Sequence, residues 1–150
     1  MAPSLSYDIR HSGIWQLSSA VLCCDGQVLL IDPGYFPREL AELSALAQAR
    51  GLVQGVVFTH GHWDHVMGWR HVPTAPVYVS QTLSQAIVTG SESAQKDLRD
   101  AAEFDRRWYI DRGAPPAWPP PDRLRPLQEG DSLPLGDTRL QALQLPGHSA

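Results

Sequence analysis

The sequence predicts one mixed domain in which strands alternate with helices around a partly parallel sheet. Its 150 residues are 43% apolar and 19% charged, which is the profile of one globular domain. Short apolar runs meet at Asp25-Gly26 and again at Gly136-Asp137, and such pairs between strand-like runs are typical of β-hairpins. Between these hairpins, strand-like runs alternate with helical patterns. This alternation indicates parallel pairing of the strands.

The first elements are a hairpin and a helix. The hairpin joins the apolar runs Ile14 to Cys24 and Gln27 to Asp32. A helix is predicted over Pro37 to Arg50, because leucines recur there on one helical stripe. Pro37 suits the first turn of this helix, and Gly51 suits the position just past its end.

Shorter patterns complete the predicted order of elements. Val-rich runs predict buried strands, and a run of prolines excludes regular structure. The remaining elements are a strand over Leu52 to Thr59, a helical stretch from about Val66, a strand over Pro76 to Ser80, a helix from about Ser91 to Ile110, a stiff loop over Gly113 to Pro121, and a hairpin over Asp131 to Leu145.

Composition argues against several classes of protein. The balance of 12 Lys+Arg against 16 Asp+Glu gives a net charge of −4, which argues against a nucleic-acid partner. No apolar run reaches the roughly 18 residues of a membrane span, so no membrane association is expected. The N-terminus lacks the basic start and apolar block of a signal peptide, so we expect a cytoplasmic location.

Cys23 and Cys24 would point to opposite faces of a strand, so we expect two buried thiols rather than a disulfide, with a redox or metal role as the lesser alternative.

Histidines are concentrated at two places in the chain. Residues two apart point about 200° apart on a helix but to the same side of an extended chain. His60 and His62 would therefore share a metal ion only in a loop or at a strand end. Imidazole nitrogen and carboxylate oxygen are ligands for zinc or iron, so two neighbouring metal positions are indicated. The residues are His60-Gly61-His62-Trp63-Asp64-His65 and, much later, His148.

Strand ends supply a further candidate residue. His60 follows one predicted strand and Asp32 ends another, so both would lie at the same rim if these strands are parallel neighbours. Two interpretations of Asp32 stay open. It is either an ordinary turn residue or a carboxylate that orients a ligand histidine from behind.

Taken together, these segments resemble the metallo-β-lactamase superfamily. Residues 59–65 are similar to its H-x-H-x-D-H signature. Leu30-Ile31-Asp32-Pro33-Gly34 resembles its Asp-x-Gly element at a strand end, and Pro146-Gly147-His148-Ser149 resembles its later Gly-His element. The resemblance runs from about residue 14 to the end of the chain.

The resemblance implies an α+β fold, the four-layer αββα sandwich with metal ions at the sheet edges. It implies that His60, His62 and His148 hold one ion and that Asp64 and His65 begin a second site. It also gives Asp64 a catalytic role, in which its carboxylate orients a metal-bound hydroxide. Zinc is the expected metal, with two ions in the complete protein and iron or manganese as alternatives. Because bound zinc lowers the pKa of water to about 7, no Ser or Cys nucleophile is needed.

Two departures from the family pattern affect these expectations. Family members normally continue with a second half that supplies a metal-bridging Asp and a last His, and neither is present up to Ala150. We therefore expect residues 1–150 to be one metallo-β-lactamase-like domain that is incomplete at its C-terminus or is completed by a partner. A homo-oligomer is compatible with this expectation. Met67-Gly68 stands where many members have Gly-Gly.

The resemblance also narrows the function. His65 argues against the lactamase subclass that has Arg there, whereas Trp63 and the Pro-Gly-His-Ser element resemble the thioesterase branch typified by hydroxyacylglutathione hydrolase. We expect a metal-dependent hydrolase of a small ester-like substrate, a thioester or a lactone. The alternatives are a single-iron sulfur dioxygenase, a nuclease of the same superfamily, and a non-catalytic metal-binding fragment. Between the motifs, Trp108, Tyr109 and Trp118 are either core residues or a wall of the substrate pocket.

Overall fold

Two sheets and three helices make up the fold in the computed structural model, which describes residues 4–145 and 147–148. Six strands form the larger sheet in the order β1 to β6, and two form a small sheet. The strands are β1 Ser6–His11, β2 Ser18–Cys24, β3 Gln27–Ile31, β4 Leu52–Val57, β5 Val77–Ser80, β6 Leu124–Leu127, β7 Ser132–Leu135 and β8 Thr138–Gln141. The helices are α1 Pro37–Arg50, α2 Gln81–Thr89 and α3 Glu92–Trp108, with short 3-10 turns at Met67–His71 and Pro121–Arg123.

The first hairpin forms where the sequence predicts it. β2 pairs antiparallel with β3, and Cys24 is the partner of Gln27 across the turn. Asp25 and Gly26 both have positive φ, at 49° and 72°. Two consecutive left-handed residues match the twist of the flanking strands, which is why the Asp-Gly pair predicts this turn.

The predicted helix over Pro37 to Arg50 is confirmed at both ends. Leu40, Leu43 and Ala47 are buried along its inner stripe. Gly51 ends the helix, and a Cβ there would lie 2.0 Å from the carbonyl oxygen of Gly26. Only glycine therefore lets the chain leave the helix and enter β4 at this point.

Parallel pairing is confirmed from β3 to β6. β3 pairs with β4, β4 with β5 and β5 with β6, all in parallel. The carboxyl ends of these strands consequently lie along one rim of the sheet. This rim carries the segments that the sequence singles out for metal binding.

Some elements differ from the predictions. The apolar run from Ile14 becomes a strand only at Ser18, because Trp15 and Gln16 adopt left-handed conformations, with φ of 49° and 52°, in a loop. Three elements, β1, α2 and β6, have no counterpart in the sequence-based assignment. On β1, Tyr7 and Ile9 are exposed, so the strand lacks the buried alternation that would have predicted it.

An apolar cluster lies on each face of the larger sheet. The larger cluster joins one sheet face to the helices and includes Val28, Leu30 and Leu43. The smaller cluster, which includes Leu29 and Leu135, joins the other face to the β7–β8 hairpin. This stacking confirms the predicted α+β class and agrees with the order of layers in an αββα sandwich.

The adjacent cysteines divide between these two layers. Cys24 is buried in the smaller cluster, whereas Cys23 is half-buried against the larger one. Both are free thiols on opposite faces of β2, as expected. Within residues 4–145 and 147–148, none of the helices is long and apolar enough to cross a membrane.

Glu39 ties the first loop of the chain to the start of α1. Its carboxylate accepts hydrogen bonds from Ser12 Oγ at 2.7 Å, from the Gly13 N–H at 2.9 Å, and from the N–H groups of Tyr35 and Phe36 at 3.4 and 3.2 Å. Burial by itself would raise the pKa of Glu39, but these hydrogen bonds outweigh burial and hold the pKa below its usual value.

We expect Glu39→Gln to lower the free energy of unfolding by about 1–3 kcal/mol at pH 7, because hydrogen bonds to a charged acceptor are lost. A carboxyl with a lowered pKa stabilises the fold above its unfolded-state pKa, and this contribution is lost as the pH falls through the folded pKa. The difference between variant and wild type should therefore shrink below about pH 4.5. Urea denaturation at pH 7 and pH 4 measures both effects.

Glu42→Gln is the matched control for this experiment. Glu42 lies one turn further along α1, where it is exposed and pairs with Arg38, at 2.7 Å. Exposed pairs of this kind contribute little to stability, because solvent screens their charges. Equal losses in the two variants would contradict the anchoring role of Glu39.

Candidate metal centre

Two strand ends bring the predicted site residues to one rim. Asp32 follows β3 directly, and Thr59 and His60 lie just beyond β4, its parallel neighbour. The Asp32 N–H donates to the Val57 carbonyl at 2.9 Å, which extends the ladder between the strands by one bond. The prediction that Asp32 and His60 share a rim is confirmed.

Three imidazoles converge above this rim. His60, His62 and His148 offer ligand nitrogens that all lie within 4.8 Å of one another. Their ring centroids are 4.6 Å apart for His60 and His62, 4.9 Å for His60 and His148, and 4.7 Å for His62 and His148. The fold thus carries His148 across from beyond β8. Of its predicted motif, Pro146 and Ser149 lie outside the described residues.

A second grouping adjoins the first. Asp32, His60 and His65 also offer ligand atoms within 4.8 Å of one another. The His65 ring lies 4.1 Å from that of His60, and Asp64 Oδ2 lies 3.8 Å from His65 Nε2. All six residues that the sequence singles out are therefore neighbours in space. Their individual roles as ligands stay predictions.

A chain of hydrogen bonds orients two of the histidines. Thr59 Oγ1 donates its only proton to Asp32 Oδ2 at 2.5 Å, so its lone pairs are free to accept from His60 Nδ1 at 3.0 Å. His65 Nδ1 donates to the same carboxylate oxygen at 3.0 Å. Both rings therefore carry their proton on Nδ1 and keep the Nε2 lone pair for a ligand.

The backbone around Asp32 has an unusual conformation that hydrogen bonds to Ser19 hold in place. It is 4% exposed and has a positive φ of 42°, an unusual conformation for a residue other than glycine. Ser19 Oγ donates to the Asp32 carbonyl at 2.5 Å and accepts from the Gly34 N–H at 2.7 Å. Asp32 thus serves both interpretations left open by the sequence, as a turn residue and as a carboxylate behind the histidines.

His60 fits a role as a metal ligand. Its Nε2 atom is buried and has no hydrogen-bond partner among the described residues. Burial and the neighbouring imidazoles of His65 and His62 lower the pKa of His60 to about 4, although Asp32 opposes this shift. A neutral imidazole with a free, buried lone pair is the state that binds zinc or iron. The donor set is consistent with a metal ion of this kind.

Comparison with known families supports the same conclusion. The sequence profile described as the metallo-beta-lactamase superfamily matches residues 13–150. The chain belongs to the metallo-beta-lactamase superfamily. The predicted resemblance is thereby confirmed, and members of the superfamily bind metal ions.

Three similar proteins illustrate this relationship. An acyl-coenzyme A thioesterase, MBLAC2 from Gallus gallus, is 32% identical over 62% of this chain and 33% of its own length. A hydroxyacylglutathione hydrolase from Xanthomonas euvesicatoria pv. vesicatoria (strain 85-10) is 26% identical over 87% of this chain and 38% of its own length. The crystal structure of TTHA1623 in a di-iron-bound form has a TM-score of 0.56 and 30% identity, covering 99% of this chain and 63% of that one. The chain thus spans less than two fifths of the length of the first two relatives.

Met67-Gly68 stands where many superfamily members have Gly-Gly, and the structure shows that only the second position needs glycine. A Cβ on Gly68 would lie 2.4 Å from Pro33 Cγ and 2.5 Å from the Pro33 carbonyl oxygen. Met67 is instead buried in the main core, where a side chain has room. Only the second glycine is required, because it lets the 3-10 turn pack against the segment that follows Asp32.

The aromatic residues between the motifs divide into two groups. Trp118 is partly buried against the core and donates its indole N–H to the Ala94 carbonyl at 3.0 Å. Trp108 and Tyr109 are 61% and 93% exposed. Of the two alternatives left open by the sequence, a core position is therefore excluded for Trp108 and Tyr109, and Ala94 and Ala101 form the buried face of α3.

Asp97 is a neighbour of the site that the sequence did not reveal. It is half-buried on α3, one turn after the buried Ala94. Burial raises the pKa of Asp97, and the nearby His62 and Lys96 oppose this shift. The only signal in the sequence was an acidic residue on a helical stripe of small side chains, which does not distinguish a site residue from a solvated one.

We expect Asp32→Asn to lower zinc affinity by about 10–100-fold, because an amide has only one acceptor oxygen and does not accept both the two protons at Oδ2 and the Thr59 N–H, which donates to Oδ1 at 2.8 Å. The fold should survive, since the two side chains have the same size. A competition titration with a zinc indicator measures the affinity. Asp137→Asn, in the distant β7–β8 turn, is the control, and equal affinity in the two variants would contradict the orienting role.

The lowered pKa of His60 has a consequence for the stability of the metal-free protein. The unfolded chain binds a proton at this residue below about pH 6.5, whereas the folded chain does so only near pH 4. Stability should therefore fall as the pH is lowered from about 6.5 to about 4. Urea denaturation at pH 7 and pH 5 should show a smaller loss in His60→Gln than in wild type. A His11→Gln control should keep the full loss, and a full loss in His60→Gln would refute the assignment.

Proposed function

We propose that this chain forms the metal-binding part of a hydrolase that acts on a small ester-like substrate, a thioester or a lactone. The observation that carries the proposal is the convergence of His60, His62 and His148, with the Nε2 atom of His60 buried and without a hydrogen-bond partner in the part of the chain that the structure describes. In this proposal the three imidazoles hold one zinc ion, and Asp64 and His65 contribute to a second position beside it.

The site residues would have two kinds of role: some would bind the metal ion, and others would orient the attacking water or the ligand histidines. A bound zinc ion would supply Lewis acidity, which polarises a carbonyl and makes water nucleophilic near neutral pH. Asp64 would orient the attacking water through its carboxylate. Asp32, through Thr59 and by direct contact with His65, would keep both imidazoles in the tautomer that leaves Nε2 free.

Two of the similar proteins support a thioester as the substrate. One is named as an acyl-coenzyme A thioesterase and the other as a hydroxyacylglutathione hydrolase, so each acts on a thioester or related acyl bond by name. Such bonds need an activated water and a polarised carbonyl, and no protein nucleophile. A lactone presents the same type of acyl carbon, so both substrates belong in the first assay.

We also propose that the partner is a small molecule and not a nucleic acid. The net charge of −4 supports this, because a nuclease of this size would need a basic surface to hold phosphates. RNA binding with a steep salt dependence would contradict it. The predictions of a cytoplasmic location and of a compatible homo-oligomer are left to fractionation and sedimentation experiments.

We expect His60→Ala and His62→Ala each to lower zinc affinity by more than about 100-fold, because each leaves two of three protein ligands at the first position. Titration with a zinc indicator measures this. His11→Ala, at the end of β1, is the control and should bind as wild type does. Unchanged affinity in both site variants would refute the proposed centre.

Asp64→Ala should behave differently from the histidine variants. The first zinc ion should be retained, whereas thioester hydrolysis should fall by about 100-fold or more, because the attacking water is no longer oriented. Metal content by elemental analysis and turnover of a thioester are the two measurements. Full hydrolysis in this variant would contradict the catalytic role of Asp64. Iron at about one ion per chain, together with oxygen consumption, would favour the sulfur dioxygenase instead.

A further inference from the structure

A cavity of about 290 Å³ lies between α1 and the edge of the larger sheet that β1 and β2 form. Arg10 and Ser19, which face each other in the register of these two strands, line one wall. Glu39, Leu43 and Leu46 of α1 line the other. None of the described residues that line the cavity is a candidate metal ligand. The cavity is therefore a second candidate site, and it does not depend on the proposed hydrolase function.

Glu39 carries a fixed negative charge on the helical wall. Three of its four hydrogen bonds end on Oε2, whereas within the described residues Oε1 accepts one, from the Gly13 N–H at 2.9 Å. A carboxylate oxygen has two lone pairs, so Oε1 keeps one for a further donor. Across residues 4–145 and 147–148, no cationic side chain forms an ion pair with Glu39. Its lowered pKa keeps it ionised at neutral pH.

Arg10 carries the opposite charge on the strand wall. Its Nη1 atom donates to the Ile9 carbonyl at 3.1 Å, and its Nη2 atom lies 4.0 Å from Asp8 Oδ1. Asp8 is itself paired with Arg50. A guanidinium group has five N–H donors in a planar fork, so Arg10 keeps donors for a carboxylate in the cavity.

The lining combines these separated charges with apolar surface. Among the described residues, Arg10 forms no ion pair with an acidic residue of α1, and Glu42, which also lines the cavity, pairs with Arg38 instead. Leu43 is 4% exposed, and Leu46 is partly buried against the main core. A small molecule with both charges and an apolar body would therefore match both walls at once.

We propose that this cavity binds a free α-amino acid with an aliphatic side chain. The ammonium group would donate to Glu39 Oε1, the carboxylate would accept from Arg10, and the side chain would lie against Leu43 and Leu46. Hydrogen bonds between ionised groups are the stronger kind, and the fixed orientation of Glu39 lowers the entropic cost of binding. The cavity has the volume of about ten water molecules, which suits an amino acid of the size of leucine.

The test is calorimetric titration of the full chain with three matched probes. These are leucine, isoamylamine, which lacks the carboxylate, and isocaproate, which lacks the ammonium group. Leucine should bind at least about tenfold more tightly than either of the others, because each of them loses one hydrogen bond between ionised groups. Equal affinity for leucine and isoamylamine would overturn the proposal in favour of a site for simple amines.

Two variants assign the two charges of the ligand to their partners. Arg10→Gln should remove the advantage of leucine over isoamylamine, and Glu39→Gln should remove its advantage over isocaproate. Arg10 is 56% exposed, so Arg10→Gln carries the test if Glu39→Gln does not fold. Thermal unfolding checks both variants. Arg99→Gln, at an exposed position of α3, removes the same charge and is the matched control, which should bind leucine as the wild type does.

The titrations are made with the chain both zinc-loaded and metal-free, because the amino and carboxylate groups of leucine also bind zinc. Binding in the cavity should give the same affinity in both forms within about twofold, since the candidate ligands lie outside its lining. Binding to the zinc-loaded form alone would place leucine on the metal and overturn the proposal. The proposal also fails if leucine does not bind at millimolar concentrations, or if Arg10→Gln and Arg99→Gln have equal affinity for leucine.

Discussion

The candidate metal centre depends on one buried carboxylate. Asp32 accepts the hydroxyl proton of Thr59 and the ring proton of His65, and through Thr59 it also determines the orientation of His60. Because the proton of each ring is held on Nδ1, each ring keeps a lone pair on Nε2 for a ligand. A burial cost is offset here by hydrogen bonds that fill the acceptor positions of the carboxylate.

This arrangement requires β3 and β4 to be adjacent and parallel. Their pairing places Asp32 beside the residues that follow Val57, and a backbone hydrogen bond joins the two segments at the rim. Close packing of Gly68 against Pro33 then brings the 3-10 turn under the same rim. The rigid sheet thus orients short loops, and the loops carry the histidines, which is the usual division of roles in proteins with open parallel sheets.

Glu39 and α3 connect this rim to the surface around it. Glu39 ties the loop after β1 to the start of α1, and the same loop carries Trp15. On the other side, Phe104 of α3 packs against Trp63, within the metal-binding segment. The segment that carries His62 and Asp64 is therefore packed through Trp63 against apolar rings of α3 and of the loop after β1.

The sequence by itself determined the local structure and the chemistry of the candidate ligands. The Asp-Gly turn, the helix from Pro37 to Arg50 and the two-residue spacing of His60 and His62 follow from short-range sterics and periodicity, which a sequence displays directly. The resemblance of the motifs to the metallo-β-lactamase superfamily was equally visible, because it depends on a few residues at fixed spacings.

Only the tertiary structure decided how distant segments meet. Two contacts, of His148 with His60 and of Trp15 with Trp63, join residues that lie far apart in the chain. The hydrogen bonds through Thr59 depend on exact side-chain orientation. The exposed β1 was missed because its side chains lack buried alternation, and the two alternatives for Trp108 stayed open because helical periodicity does not specify which stripe meets the core. Contacts of this kind arise from packing of the whole chain, and no local pattern encodes them.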